Sequence, residues 1–334
     1  MSGQHGEQTC KLFLLSHPVP ACAANQSISP ILMLSAPIDL QRVRQLFSRI
    51  NQIGGSNFLR REIASRMREK LELVKIQPER VLDAGCGEGA DVAQLQKNFP
   101  DANVLGIDSA KLMLDLAAHN QTAAKNSVGR MMAKWLPPSL RSAQDVGLIC
   151  GDFARLPLVA SSIDLVWSNL ALHWHPQPDL VFAEWRRVLR TDGLLMFSCF
   201  GPDTLVELRL AFAEIDQTPH TLPFVDMHDF GDMLVNAGFS TPVMDMEKIT
   251  LTYDNVDKLF SDVRALGGNP LLTRRQSLIG KDAYRTLCNA LENRRNVDGR
   301  IPLTFEVVYG HAFRPVPKKL ASGESIIRID FPKK

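Results

Sequence analysis

Arg80-Val81-Leu82-Asp83-Ala84 runs directly into Gly85-Cys86-Gly87-Glu88-Gly89. The first five residues read as a short buried strand. The next five form a glycine-rich turn with G-x-G-x-G spacing. Glycine reaches backbone conformations that strain other residues, and it lets amide groups approach a ligand closely at the start of a helix. Such a turn alone is weak evidence, because dinucleotide-binding folds use one as well. The acid two residues before the first glycine adds to it: Asp83 is placed to accept from the cationic amino group of a bound amino-acid moiety.

Downstream of this turn, helices and strands alternate. A helix from Asp91 to Phe99 precedes a second strand, Asn103 to Ile107, which ends in Asp108. A helical segment covers Lys111 to Ala124, and Asn126 to Asp145 reads as an irregular insertion around Trp135 and Pro137-Pro138. The third strand, Val146 to Cys150, leads into Gly151-Asp152-Phe153, and the fourth, Ile163 to Ser168, closes on Asn169. A helix from Asp179 to Arg190 stops at Thr191-Asp192-Gly193, where the glycine suits a helix C-cap. The fifth strand is Leu194 to Cys199. Parallel neighbours need crossover connections, so this alternation specifies a parallel α/β sheet.

In an open parallel sheet the ligand lies beyond the carboxyl ends of the strands. Asp108 there is placed to accept from two ribose hydroxyls, with Ser109 and Met113 following it. Asp152 is placed to meet an adenine amino group, with Phe153 against the ring. Each has a plainer role when taken singly: Asp108 as a helix cap, Asp152 as a turn former, Phe153 as core. All of them in register at strand ends point to one nucleotide-bearing ligand. Asn169-Leu170-Ala171-Leu172-His173-Trp174-His175 should floor the reaction site, with His173 and Trp174 as substrate-contact candidates. No third residue at ligand spacing joins His173 and His175, so no metal is expected.

Both ends depart from the alternation. Asp39 to Leu73 is helical in pattern, interrupted by Gly54-Gly55-Ser56, which implies two helices and a hinge. Residues 1–35 read as a disordered extension, or as the product of an early start with Met33 opening the protein proper; the apolar stretch Leu12-Phe13-Leu14-Leu15 is too short and broken for a secretory signal. After the fifth strand, Val243 to Tyr253 and Thr304 to His311 read as two late strands, separated by helical material from Asn255 to Arg295. The expected organisation is a catalytic domain of residues 36–253 plus 301–314, a helical cap inserted at 254–300, and a tail at 315–334.

With 38 Lys and Arg against 36 Asp and Glu, the formal charge of +2 carries no footprint for nucleic acid. The six cysteines are scattered, without zinc-site spacing, as in a cytoplasmic protein with reduced thiols. No apolar run approaches the ~18 residues of a membrane span.

The Asp83–Gly89 block resembles motif I of S-adenosylmethionine-dependent methyltransferases, which implies a Rossmann-like class I fold of seven strands with S-adenosylmethionine held by Asp83, Gly85, Cys86, Gly87, Gly89, Asp108, Ser109, Met113, Asp152, Phe153, Asn169 and Leu170. From about Leu40 to Phe313 the chain resembles the BioC-type malonyl-acyl-carrier-protein O-methyltransferases of biotin synthesis. The likeness rests on Val81–Gly87, on Trp167-Ser168-Asn169-Leu170-Ala171-Leu172-His173-Trp174, and on Arg300-Ile301-Pro302-Leu303-Thr304-Phe305. It implies methyl transfer to the free carboxylate of a malonyl group on an acyl carrier protein. No acid–base residue is then expected, because a carboxylate with pKa near ~4 is already ionised. A cation for that carboxylate is expected, and Arg264 is the candidate. An acidic carrier would need a basic mouth, for which Arg60, Arg61, Arg274, Arg275, Arg294 and Arg295 are available. The tyrosine usual near Ile53-Gly54-Gly55 in that family is absent here. Phe200–Arg209, Pro223-Phe224 and Asn236-Ala237-Gly238-Phe239 are also similar to the methyltransferase-fold complex I assembly factor that hydroxylates an arginine, which implies a protein-modifying alternative.

Overall fold

The computed structural model describes residues 36–49, 57–132 and 146–316. The extension, the Gly54-Gly55-Ser56 hinge and most of the 315–334 tail lie outside the described residues. Seven strands form one sheet in the order β3-β2-β1-β4-β5-β7-β6: β1 (Arg80–Ala84), β2 (Asn103–Asp108), β3 (Gly147–Cys150), β4 (Ile163–Asn169), β5 (Leu189–Phe200), β6 (Ser240–Tyr253) and β7 (Ile301–Phe313). The first five are mutually parallel, and β7 inserts antiparallel between β5 and β6. The late strands therefore close the sheet as the sequence indicates.

Helices cover both faces: α1 (Leu40–Phe47), α2 (Asn57–Leu73), α3 (Ala90–Asn98), α4 (Lys111–Met132), α5 (Pro178–Val188), α6 (Val206–Ala213), α7 (Met227–Asn236), α8 (Val256–Ala265) and α9 (Lys281–Glu292). Successive strand residues point to opposite faces, and β5 shows the consequence. Leu194 and Met196 join a core with Leu59, Ile63 and Met67 of α2 and Leu259 of α8. Leu195, Phe197 and Cys199 join a second core with Phe182 and Trp185 of α5 and Phe230 of α7.

Three expectations change. The helix after β2 continues to Met132, so the irregular insertion is shorter than Asn126–Asp145; residues 133–145 lie outside the described residues. The helix after β4 ends at Val188, and Gly193 lies within β5. Here sheet pairing overrides the helix-stop signal. Leu189 pairs with Ile163 and, past a register shift, Leu194 with Leu165; Asp192 N and Arg314 N donate to Arg314 O and Gly193 O. Finally, α6 and α7 occupy the stretch between β5 and β6, which the sequence reading left without helices.

Candidate active site

Gly85, Gly87 and Gly89 in the turn after β1 all have positive φ, at 86°, 50° and 79°. Gly85 is constrained twice, because a Cβ there would lie 2.2 Å from Ala171 Cβ. The amides of Gly85 and Cys86 donate to the Ile107 carbonyl at 2.9 and 3.0 Å. The Gly87 amide donates to Asp108 Oδ2 at 3.0 Å, and Ala110 N donates to Asp108 Oδ1 at 2.8 Å. The turn and the end of β2 are thereby fixed to each other.

These strand ends form one wall of a cleft. Asp83, Gly85, Cys86 and Gly87 line it, with Asp108, Ser109 and Met113 beyond β2, Phe153 beyond β3, and Asn169 and Leu170 beyond β4. Asn169 is held from three sides: Nδ2 donates to Asp91 Oδ2 at 2.9 Å and to the Arg60 carbonyl at 3.2 Å, and Oδ1 accepts from Ser198 Oγ at 2.8 Å. His173 and Trp174 follow on a 3-10 turn, Leu172–Trp174, and also line the cleft.

The roof comes from α1, α2 and the segment after α8. Val43, Phe47, Arg60, Arg61 and Leu266 face the same space. Phe47 meets Trp174 edge-on at 5.1 Å. Arg60 Nη2 donates to the carbonyls of Ala265 and Leu266 at 3.3 and 3.5 Å. Asp39 N donates to Pro270 O, and Leu272 N to Pro37 O, so the segment before α1 and the loop after α8 form one unit.

Three predicted residues fall outside the cleft lining. Gly89 does not line the cleft; a Cβ there would lie 2.9 Å from Ala117 Cβ, so the glycine allows the start of α3 to pack closely on α4. Asp152 Oδ1 accepts from Ala154 N at 2.9 Å, the turn-forming role, and lies 4.0 Å from His175 Nε2. Arg264 is exposed on the last turn of α8 and does not line the cleft. Two arginines line the cleft, the half-buried Arg60 and the exposed Arg61, and the sequence suggests both only as part of a basic mouth. Leu59, the neighbour of Arg60, is buried with Ile63 and Met67, so Arg60 starts from the edge of the inward face of α2.

The methyltransferase-domain family model matches residues 82–197. Two proteins named malonyl-[acyl-carrier protein] O-methyltransferase, from Gallionella capsiferriformans and Laribacter hongkongensis, are each 45% identical over 296 residues; the alignments cover 88% and 87% of this chain and 97% and 96% of theirs. This chain belongs to that methyltransferase family. A provisionally assigned methyltransferase structure from Bacillus halodurans shares the fold, with a TM-score of 0.52 at 18% identity over 75% of this chain and 100% of that one. The protein is thus an S-adenosylmethionine-dependent enzyme of class I fold. The names of these relatives do not favour the arginine-hydroxylating alternative.

Electrostatically, the methyltransferase gathers three carboxylates and a guanidinium in one place. Burial holds the Asp83 carboxyl well above its ordinary range, and the charges of Asp91 and Asp108 push it further. Its Oδ2 is buried with no hydrogen-bond partner among the described residues. Burial also raises Asp91, against hydrogen bonds from Asn169 and Trp167, and raises Asp108, against the amides of Ala110 and Gly87 and the Arg60 charge. Arg60 is lowered by burial, opposed by Glu88 and Asp108. His173 is depressed to about 3, first by burial and then by Arg60, so the imidazole facing the cleft is neutral and a poor base. Among the described residues no three His, Cys, Asp or Glu side chains group as metal ligands, and no helix is long and apolar enough to cross a membrane.

Proposed function

We propose that this methyltransferase esterifies the free carboxylate of a malonyl group carried as a thioester on acyl carrier protein, in biotin precursor synthesis. The observation that carries this reading is the half-buried guanidinium of Arg60, set in the same cleft as an aromatic wall of His173, Trp174 and Phe200 in which the imidazole is neutral. A short acyl chain ending in a carboxylate has that character: apolar along its length and anionic at its tip. Only Nη2 of Arg60 is engaged by the described residues, so Nε and Nη1 are available to a carboxylate. Arg60 therefore replaces Arg264 as the proposed anchor.

S-adenosylmethionine, when bound, supplies an electrophilic methyl group on a sulfonium sulfur. The cleft fits it. The unpartnered Asp83 Oδ2 suits its ammonium, the Gly85–Gly87 backbone gives close approach to its amino-acid part, and Asp108 keeps unused lone pairs for ribose hydroxyls after accepting two amides. Phe153 lines the cleft beyond β3, the side expected for the adenine. The chain has no proton to move, because the acceptor carboxylate is ionised at neutral pH. Its work is to hold that carboxylate in line, exclude water and let proximity supply the rate.

The test is the intact mass of malonyl-acyl carrier protein after incubation with enzyme and S-adenosylmethionine. A gain of one methyl, absent with acetyl-acyl carrier protein, is expected. Arg60→Gln should raise KM for the malonyl acceptor about tenfold or more, as expected for loss of a charge-assisted contact, and leave cofactor affinity within a few-fold. No methyl gain on either carrier would overturn the reading.

A further inference from the structure

His173 is held by its neighbours in an unusual way. Its ring packs among Trp174, Phe200 and Phe224, with centroids 5.1, 5.0 and 5.7 Å away. Its Nδ1 lies 3.6 Å from Cys199 Sγ, a thiol buried in β5. Its Nε2 is buried and meets no hydrogen-bonding partner among the described residues, although the residue belongs to the cleft wall. A buried polar nitrogen without a partner is uncommon in native folds and calls for an explanation.

The pair admits two arrangements. Either Nδ1–H donates to sulfur, or the thiol S–H donates to the Nδ1 lone pair. Thiol sulfur is a weak acceptor and S–H a weak donor, but the sp² nitrogen of a neutral imidazole is a strong acceptor, and the second arrangement is the one taken here. Burial keeps the thiol protonated and the imidazole neutral, so the pair shares a neutral hydrogen bond in either arrangement. In the second, Nε2 must carry the ring proton, as an unsatisfied donor in the wall of the cleft. A neutral N–H in an aromatic cage, near a guanidinium that already serves the anion, is matched to a neutral carbonyl oxygen.

We propose that Cys199 is a positioning residue that fixes the Nε2–H tautomer of His173, and that this N–H donates to the thioester carbonyl of the acyl acceptor. The second half rests on the acceptor proposed above; the first half does not.

The measurement is a long-range 1H–15N correlation spectrum of the full chain labelled at histidine nitrogen, with the His173 signals identified by their loss in His173→Gln. The wild type should show a single Nε2–H tautomer. Cys199→Ala should shift His173 toward the other tautomer or a mixture, and raise KM for malonyl-acyl carrier protein about three- to tenfold, the range for one neutral hydrogen bond. Affinity for S-adenosylhomocysteine should be unchanged. Cys199→Ser, which keeps a donor of similar size, should restore both tautomer and KM and controls for any packing defect of the alanine variant. An Nδ1–H tautomer in the wild type overturns the proposal, as does an unchanged tautomer and KM in Cys199→Ala. If the wild type holds Nε2–H but does not methylate the malonyl carrier, the carbonyl assignment falls with the acceptor reading, while the role of Cys199 stands.

Discussion

Asp83 carries opposite consequences for the ligand-free and ligand-bound protein. Its carboxylate is buried, has one oxygen without a partner among the described residues, and lies near two further acids, so burial and repulsion both raise its pKa. The folded state therefore holds this proton more tightly than the unfolded chain does. By linkage, Asp83 contributes stability below the ordinary carboxylate range, and that contribution is lost as pH rises through its raised folded value. An ammonium from the cofactor would reverse the balance. Asp83→Asn keeps the shape and removes the charge, so the melting temperature of the ligand-free protein should rise at neutral pH. Affinity for S-adenosylhomocysteine should fall about 10- to 100-fold, the range for a hydrogen bond to a charged group. Calorimetry across pH completes the test: wild-type affinity should weaken as Asp83 gains its proton, and the variant should lack that dependence. A variant less stable and equally tight in binding would remove Asp83 from the ammonium site.

At the scale of elements, the turn between β1 and α3 works only because the segment after β4 touches it. Gly85 has φ +86°, and its missing Cβ is the space that Ala171 Cβ fills. Gly85→Ala should weaken cofactor binding at least about tenfold, since a left-handed alanine alone costs about 1–2 kcal/mol before any clash. Adding Ala171→Gly removes the clash but not the strain, so titration calorimetry should find part of the affinity restored. No recovery in the double variant would show that the contact is irrelevant. The glycine spacing made this turn legible in the sequence, as did Asp108 and Asn169 at their strand ends. The partner Ala171 was not legible, because contact between the turns after β1 and β4 depends on the sheet order. The same limit explains Arg264 and Arg60. Both are arginines on amphipathic helices, and only the docking of α2 against the segment after α8 decides which one is enclosed. Gly193 shows the converse case, a local stop signal overruled by strand pairing with β4.

Over the whole molecule, a charge of +2 hides an uneven distribution. Of the arginines considered for a basic mouth, Arg275 pairs with Asp216, Arg294 with Glu214 and Arg295 with Glu292. Their charge is largely neutralised within the fold, and their role is to tie the helices between β6 and β7 to their surroundings. The roof differs. Arg42, Arg44 and Arg49 on and just after α1, and Arg61 on α2, make no ion pair among the described residues, and Arg44, Arg49 and Arg61 are exposed. An acidic carrier delivering its acyl group into the cleft would therefore be drawn to the roof. Raising ionic strength from ~0.01 M to ~0.15 M shortens the screening length from about 30 Å to about 8 Å, so KM for malonyl-acyl carrier protein should rise with salt. KM for malonyl-coenzyme A, which has no protein surface, should change much less. Arg44→Glu with Arg49→Glu should raise the carrier KM and flatten its salt dependence, because rim charges act mainly on encounter. Arg294→Glu with Arg295→Glu should instead lower the melting temperature with a smaller effect on the carrier KM. If the second pair governed carrier KM and the first did not, the docking face would lie on the helices between β6 and β7, and the unpaired charges of the roof would be ordinary solvated arginines.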